Sequence, residues 1–444
     1  MGRGSAYLVI GLVLATAACS GGSLDADLDA VIAEQRLAAV APVDPASPEV
    51  VELGEALFFD KILSGNRDTA CATCHHPVAA SGDGLSVSVG TKGTGLAADR
   101  VAGVNRELVP RNAPDLFNRG ADGWFTMFWD SRVAGTVQHG FSSPAGDDLP
   151  DGLDSVLAVQ ALFPPTSPVE MLGLPGDVAA TGQLNEIAVE TAFEAIWDLL
   201  LNRILEVDDY RMMFAAAFPH VSPDEIGLEH IGNAIAAYEA AAFSFPGSPW
   251  DQYLAGDDKA LSNDAKRGAI LFFGEAGCGG CHTGALLTDQ LTHNVAPPQV
   301  GPGKGDAAPD DFGREDVSGN YVDRYGFRTP PLRNVELTGP WLHNGAYVDL
   351  QAVIRHFLDP AAALAGYDPS PLRSDVTEFY LVDEARSDQA LALLDPRLRS
   401  PVHLTDEEID QVESFLLSLT DPAARDLDHL VPDSVPSGLP VDGR

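Results

Sequence analysis

Basic residues, cysteine, methionine and long apolar runs are all scarce in this 444-residue chain, and each scarcity excludes something. Lys and Arg number 27 against 65 Asp and Glu, a formal net charge of -38. So acidic a surface repels phosphate backbones and anionic headgroups, which excludes a nucleic-acid binder. It suits a basic protein partner, and it is equally what a surface adapted for solubility carries. No apolar run outside the extreme N-terminus reaches the roughly 18 residues of a membrane span. There are 5 Met, and none lies beyond Met213, so the second half has no thioether to offer a metal. There are 5 Cys, of which four form two tight pairs and one is left over, which is not a disulfide framework. What is plentiful is apolar residue, 45%, enough for packed cores, so disorder of the whole chain is excluded. The length suits two to three domains.

The unpaired Cys19 is explained by its surroundings. Arg3 gives a short positive region, Leu8 to Ala15 an apolar stretch too short to span a bilayer, and Thr16-Ala17-Ala18 leads into Cys19. This pattern reads as an export signal. Small residues directly before a Cys resemble a bacterial lipoprotein cleavage site, with plain secretory cleavage as the rival. Residues 1–18 are therefore expected as a signal peptide. Cys19 is expected to be lipidated and residues 19–45 to serve as a tether. The expected location is extracytoplasmic (periplasmic), with membrane contact only through the lipid anchor.

The two Cys pairs carry the chemistry. Cys71-Ala72-Thr73-Cys74-His75 and Cys278-Gly279-Gly280-Cys281-His282 are both C-x-x-C-H, the spacing that attaches a c-type haem. Two thiols one helical turn apart reach the two vinyl groups of one porphyrin, and the adjoining His sits under the iron. A zinc site would need two more Cys or His near each pair, and no further Cys is near. Two covalent haem c groups are expected, on Cys71, Cys74 and His75 and on Cys278, Cys281 and His282.

The rest of the chain reads as mainly α, with long irregular loops. Apolar residues recur at three-to-four spacing over Ile187 to Leu205, Glu225 to Ala242, Asp264 to Phe273, Leu350 to Phe357 and Asp406 to Leu419. Ser262-Asn263 and Thr405 are expected as caps. Pro144 to Pro168 and Val295 to Asp311 are rich in Pro and Gly and read as loops. The expected architecture is two cytochrome c-like haem domains, 46–250 and 251–427, and a 428–444 tail that is a surface strap or disordered. No repeated unit is apparent beyond the two haem motifs.

At this point the chain resembles the bacterial dihaem cytochrome c peroxidases and their relatives of the MauG type. The resemblance runs from Leu53-Gly54-Glu55-Ala56-Leu57-Phe58-Phe59-Asp60 through Pro110-Arg111-Asn112-Ala113-Pro114 and Phe128-Trp129-Asp130-Ser131-Arg132. It continues through Asp311-Phe312-Gly313-Arg314 and Arg328-Thr329-Pro330-Pro331-Leu332-Arg333-Asn334-Val335. It closes on Leu337-Thr338-Gly339-Pro340-Trp341-Leu342-His343-Asn344-Gly345. The order of these pieces around the haem motifs carries the match.

The resemblance implies that the N-terminal haem reacts with hydrogen peroxide and the C-terminal haem admits or stores charge. It implies that Trp129 lies between them as a relay for a hole, and that Glu170 is the distal acid–base group, with Gln138 also expected in that pocket. An acid–base group is needed because peroxide heterolysis moves a proton from the near to the leaving oxygen. Asn112, Thr338 and Pro340 match positions that hold a calcium ion between the domains; oxygen donors suit that hard cation. The family leaves homodimerisation open.

Two departures stand out. Many family peroxidases have a distal His where this chain has Thr91, so the peroxidatic iron is expected to be open, with His76 and His139 as rival ligands. The family's sixth ligand of the second haem, Met or Tyr, falls here on Phe357. The neighbouring His356 is the leading substitute, ahead of His293 and His343.

Three functions follow. The first is a peroxidase reducing hydrogen peroxide with electrons from a small cytochrome c or cupredoxin. The second is a MauG-like enzyme using peroxide to oxidise Tyr or Trp of a partner protein. The third is a lipid-anchored electron-transfer dihaem cytochrome without turnover of its own.

Overall fold

The computed structural model describes residues 23–380 and 383–444. Cys19 and the export signal lie outside the described residues. Helices dominate, and the strands are confined to two small antiparallel ladders. None of the described helices is long and apolar enough to cross a membrane.

All five expected helices form, with boundaries set by local chemistry. Ser262 accepts from the Ala265 amide and starts the helix Asn263–Phe273. Thr405 and Glu408 form a reciprocal capping box at the head of Asp406–Leu417. Asp349 caps Leu350–Leu358. Two helices begin later than their apolar pattern. Ile187–Val189 is a separate short 3-10 turn before Phe193–Leu205. Gly227 interrupts the run from Glu225, so that helix spans Leu228–Ala242.

Two cores result. In the N-terminal half Pro48–Phe59 packs across Leu228–Ala242. In the C-terminal half Asn263–Phe273 packs across Asp406–Leu417. Each crossing turns on one glycine. A Cβ on Gly54 would lie 1.9 Å from the Ala234 carbonyl oxygen, and one on Gly268 would lie 1.8 Å from that of Gln411. Only a hydrogen fits at either point.

The two glycines open the same hexapeptide pattern, Gly54-Glu-Ala-Leu-Phe58-Phe59 and Gly268-Ala-Ile-Leu-Phe272-Phe273. The chain thus does contain a repeat beyond the haem motifs. Unequal spacing to the following Cys hides it in the sequence.

The three-stranded ladder Thr126–Met127, Val133–Thr136 and Gly140–Ser142 presents the turn Phe128 to Arg132. Phe128 (φ 64°) and Ser131 (φ 53°) are left-handed there. That conformation is costly for residues other than Gly, and it aims Trp129 and Asp130 inward.

The N-terminal segment departs from expectation, and the tail takes the first of its two expected forms. The segment expected as a tether folds from Leu24 into a helix, Leu24–Gln35, that lies on Asn263–Phe273. Leu24, Leu28, Val31 and Ile32 make its apolar stripe, with Leu28 fully buried. The tail is a strap. Val431, Val435 and Val441 enter the N-terminal core, and Asp442 bonds Lys61 Nζ and Thr73 Oγ1, each at 2.6 Å. The chain end is thereby pinned behind the first Cys pair.

Candidate active site

Each Cys pair opens on its own cavity. The first is lined by Cys71, Cys74 and His75. The second is lined by Cys278, Cys281 and His282. None of the four cysteines forms a disulfide. His75 Nδ1 donates to the Ser81 carbonyl at 3.2 Å and His282 Nδ1 to the Leu287 carbonyl at 2.9 Å. A carbonyl only accepts, so each ring keeps its proton on Nδ1 and its lone pair on Nε2, the tautomer a metal ligand needs. Burial also depresses both imidazoles below their ordinary pKa, His75 to about 4.

The first cavity holds the reactive constellation. Half-buried Glu170 sits on the short turn Pro168–Leu172 and lines it. Gly90 permits this approach: a Cβ there would lie 2.0 Å from the Val169 carbonyl oxygen. Burial raises the Glu170 carboxyl above the ordinary range, while Arg132, Lys304 and Arg111 pull it back down.

Those cations converge on Asp130, which is fully buried. Arg111 reaches it at 2.6 Å, Lys304 at 2.7 Å and Arg132 at 3.0 Å. Arg111 also holds Asp311 at 2.6 Å. Three cations around one carboxylate keep it ionised, well below its ordinary pKa, and leave net positive charge facing the cavity.

Several expected residues lie elsewhere. Gln138 does not enter the pocket; it sits on the exposed turn between Val133–Thr136 and Gly140–Ser142. Gln160, on Val156–Ala161, lines the cavity instead. His139 is exposed on the same turn, bonded to Thr136 Oγ1 at 3.0 Å. His76 is buried with both ring nitrogens engaged, by the Val78 amide and the Asp442 carbonyl. Thr91 is buried outside the cavity, where it accepts from Asn66 Nδ2 at 2.6 Å and bonds Asp68.

The second cavity is mostly apolar, with Leu350, Val353, Ile354 and Phe357 of one helix forming part of its wall. His356 does not join them. It is one residue, about 100° of helix, from Phe357, and it points away from the cavity. Its Nδ1 meets Tyr347 Oη at 2.9 Å and its Nε2 the Val295 carbonyl at 2.8 Å. With both nitrogens held in the protein, the expected haem ligation by His356 is corrected. His293 is likewise clamped, by Asp289 at 2.9 Å and Asp395 at 2.8 Å, and the Asp289 carboxylate raises its pKa. Among the lining imidazoles besides His282, only that of His343 keeps an unpartnered nitrogen, Nε2.

Trp129 lines both cavities, as do Asn112, Pro114, Asp115, Arg119 and Arg328. Two buried arginines with one carboxylate, Asp115, leave positive charge uncompensated; burial lowers Arg328 to about 9, and Arg119 Nη1 has no partner. Carboxylates supplied from the cavities, such as haem propionates, fit this wall, as the thiols and imidazoles fit the porphyrin and iron. Asn112, Thr338 and Pro340 all border the second cavity. Asn112 Nδ2 donates to the Leu85 carbonyl at 2.7 Å, which leaves its Oδ1 as an acceptor, whereas the Thr338 hydroxyl turns back onto Val335.

Two c-type centres separated by a shared aromatic and cationic wall, one with an acid–base pocket and one lined mainly by apolar side chains, define a dihaem redox enzyme. Residues 48–259 match the family of di-haem cytochrome c peroxidases. The chain is 30% identical over 412 residues to the methylamine utilization protein MauG of Methylorubrum extorquens, covering 90% of this chain and 95% of that one. It is 32% identical over 314 residues to the cytochrome c551 peroxidase of Pseudomonas aeruginosa, covering 70% and 72%. The crystal structure of a MauG-like protein associated with microbial copper homeostasis superposes with a TM-score of 0.61 at 27% identity, covering 87% of this chain and 94% of that one.

The chain belongs to the dihaem cytochrome c peroxidase and MauG family. It is a peroxidase-type oxidoreductase with two covalently bound c-type haems.

Sequence reading missed Lys304, Gln160, Arg119, the buried Glu239 that also borders the first cavity, and the Arg111–Asp130–Asp311 network. Lys304 is remote from the haem motifs and reaches the first cavity only because its loop folds back. The Asp130-x-Arg132 pair beside Trp129 was the signal available for the network.

Proposed function

We propose that the protein reduces hydrogen peroxide at the haem held by Cys71, Cys74 and His75, with Glu170 as the acid–base group. An open haem iron supplies the redox centre for O–O cleavage. Glu170 takes the proton from the near oxygen and returns it to the leaving oxygen, and Arg132 and Lys304 offset the negative charge that develops there. Two electrons and two protons per peroxide give two waters. The observation that carries this reading is Glu170 in a cavity from which Thr91 is tied away by Asn66 and Asp68. Such a centre reacts without prior reduction.

In this reading the electrons enter through the His282 haem from a small cytochrome c or cupredoxin, with Trp129 as the relay, and each haem has its own cytochrome c-like domain. A second reading, MauG-like oxidation of Tyr or Trp in a partner protein, is favoured by Phe357 at the ligand position and by His356 turned away from it. A dihaem carrier without turnover is disfavoured by Glu170 and its cations. The location we propose is the periplasm, with Cys19 lipidated. The mass of Cys19 in membrane-extracted protein tests this. Calcium between the halves, on Asn112 with Thr338 and Pro340, is tested by metal analysis after chelation.

The deciding experiment is stopped-flow absorbance of the oxidised holoprotein with stoichiometric peroxide and no reductant. A fast Soret change is expected, and silence would overturn the open-iron reading. Rapid decay of that state with reduced cytochrome c would select the first reading. A long-lived state indifferent to small donors would select the second.

A further inference from the structure

His356 sits one residue from the wall of the second cavity, yet its ring faces a tyrosine. Its Nε2 lies 2.8 Å from the Val295 carbonyl, which can only accept, so the proton is on Nε2. Its Nδ1 is therefore a lone pair, and the Tyr347 hydroxyl at 2.9 Å donates to it. Both residues are buried. Burial depresses the imidazole to about 4, so it rests neutral, and its Nδ1 takes a proton only from a strong acid such as an oxidised phenol. The His356 ring is 5.6 Å from that of Phe357, which lines the haem cavity. On the other side Tyr347 contacts Tyr367 edge-on at 5.4 Å, and Tyr367 contacts Tyr380 at 5.3 Å. Tyr380 is only partly buried.

A buried phenol is hard to oxidise because its one-electron product is a strong acid with nowhere to send its proton. Tyr347 has such a place in His356 Nδ1. Tyr367 does not: its hydroxyl donates to the Ala346 carbonyl at 2.5 Å, which is no base.

We propose that Tyr347 is a redox-active residue that releases one electron to the oxidised C-terminal haem while its phenolic proton moves to His356 Nδ1. One electron reduces the haem by one equivalent, the O–H bond breaks, the N–H bond forms, and the products are a neutral phenoxyl radical and an imidazolium. The oxidant is hydrogen peroxide, so this inference rests on the peroxide chemistry proposed above. Tyr367 and Tyr380 extend the path outward, placing electron entry at the Tyr380 surface. His356 thus acts as the proton acceptor of a tyrosine rather than as a ligand of iron.

The test is rapid freeze-quench electron paramagnetic resonance of the holoprotein after one equivalent of peroxide, with the Soret band followed in parallel. Wild type is expected to show a tyrosyl radical. Tyr347→Phe, which removes one oxygen atom, is expected to lose that signal at least fivefold with the resting spectrum and Soret response unchanged. His356→Gln can keep both hydrogen bonds but offers no base, and is expected to lose the signal to a similar extent. Tyr367→Phe is expected to keep the radical at full yield, because Tyr367 has no proton acceptor of its own. A Soret response without a tyrosyl signal in wild type, or a signal intact in Tyr347→Phe, would overturn the proposal alone. No Soret response would overturn the peroxide reading and remove the oxidant from Tyr347 with it.

Discussion

The indole nitrogen of Trp129 donates to the main-chain carbonyl of Asn112 at 3.0 Å, on the wall shared by the two haem cavities. The bond fixes the ring of the one aromatic side chain, among the described residues, that borders both cavities. Trp129→Phe preserves bulk but removes the N–H and the more readily oxidised ring. The initial peroxide reaction at the first haem is expected to persist. Electron transfer from the second is expected to slow roughly tenfold or more, about 1.4 kcal/mol of barrier. Stopped-flow traces of the half-reduced protein separate the two steps, and equal loss in both would deny Trp129 a relay role.

Glu170→Gln removes the proton acceptor while keeping the shape. The peroxide rate is expected to fall by about 10²–10⁴-fold, the usual range for an acid–base group. In wild type the ionised form is the base, and burial raises its pKa. The rate should therefore fall on acidification at a pH above the ordinary carboxylate value of 4.5, and this limb should vanish in the Gln variant. A threefold effect or an unchanged pH profile would remove Glu170 from the chemistry.

Lys304 reaches the first cavity from the C-terminal half and holds the Glu170 pKa down by its charge. Lys304→Met should therefore move the acid limb of the peroxide rate to higher pH. Arg111 and Arg132 still compensate Asp130, so folding should survive. A limb that stays in place would mean that Lys304 serves the fold alone.

Glu239 is a buried acid bordering the first cavity, with Oε2 unpartnered, and burial raises its pKa from 4.5 to about 8. Its folded pKa is the higher one, so the native state binds more protons than the unfolded state between these values. Its contribution to stability is complete below 4.5 and is lost as pH rises toward about 8. Glu239→Gln should make the decline of Tm between pH 5 and 8 shallower. Parallel melting curves for both proteins would contradict this.

Gly268→Ala places a methyl where the Gln411 carbonyl stands 1.8 Å away. The helices must separate, at an expected cost of about 2–3 kcal/mol. Gly54→Ala should act likewise through Ala234. Denaturant unfolding of the holoprotein, read at the haem and by circular dichroism, gives the difference.

The covalent chemistry was legible in the residues themselves. C-x-x-C-H needs only adjacency along a helical turn, so the haem thiols and His75 and His282 could be read without a fold. Helices with caps, such as Ser262 before Asn263–Phe273 and Thr405 with Glu408, were legible for the same local reason. Side-chain direction one step along a helix was not. His356 and Phe357 are neighbours in sequence, and only packing decides which of them faces the cavity and which meets Tyr347. Gln138 is likewise adjacent to the right strand and on the wrong side of its turn. Long-range charge was hidden. Arg132 is two residues from Asp130 in the sequence, but Arg111, and Lys304 from the second half, reach it only in the folded chain, because a buried carboxylate takes its partners from whatever the tertiary structure brings within reach.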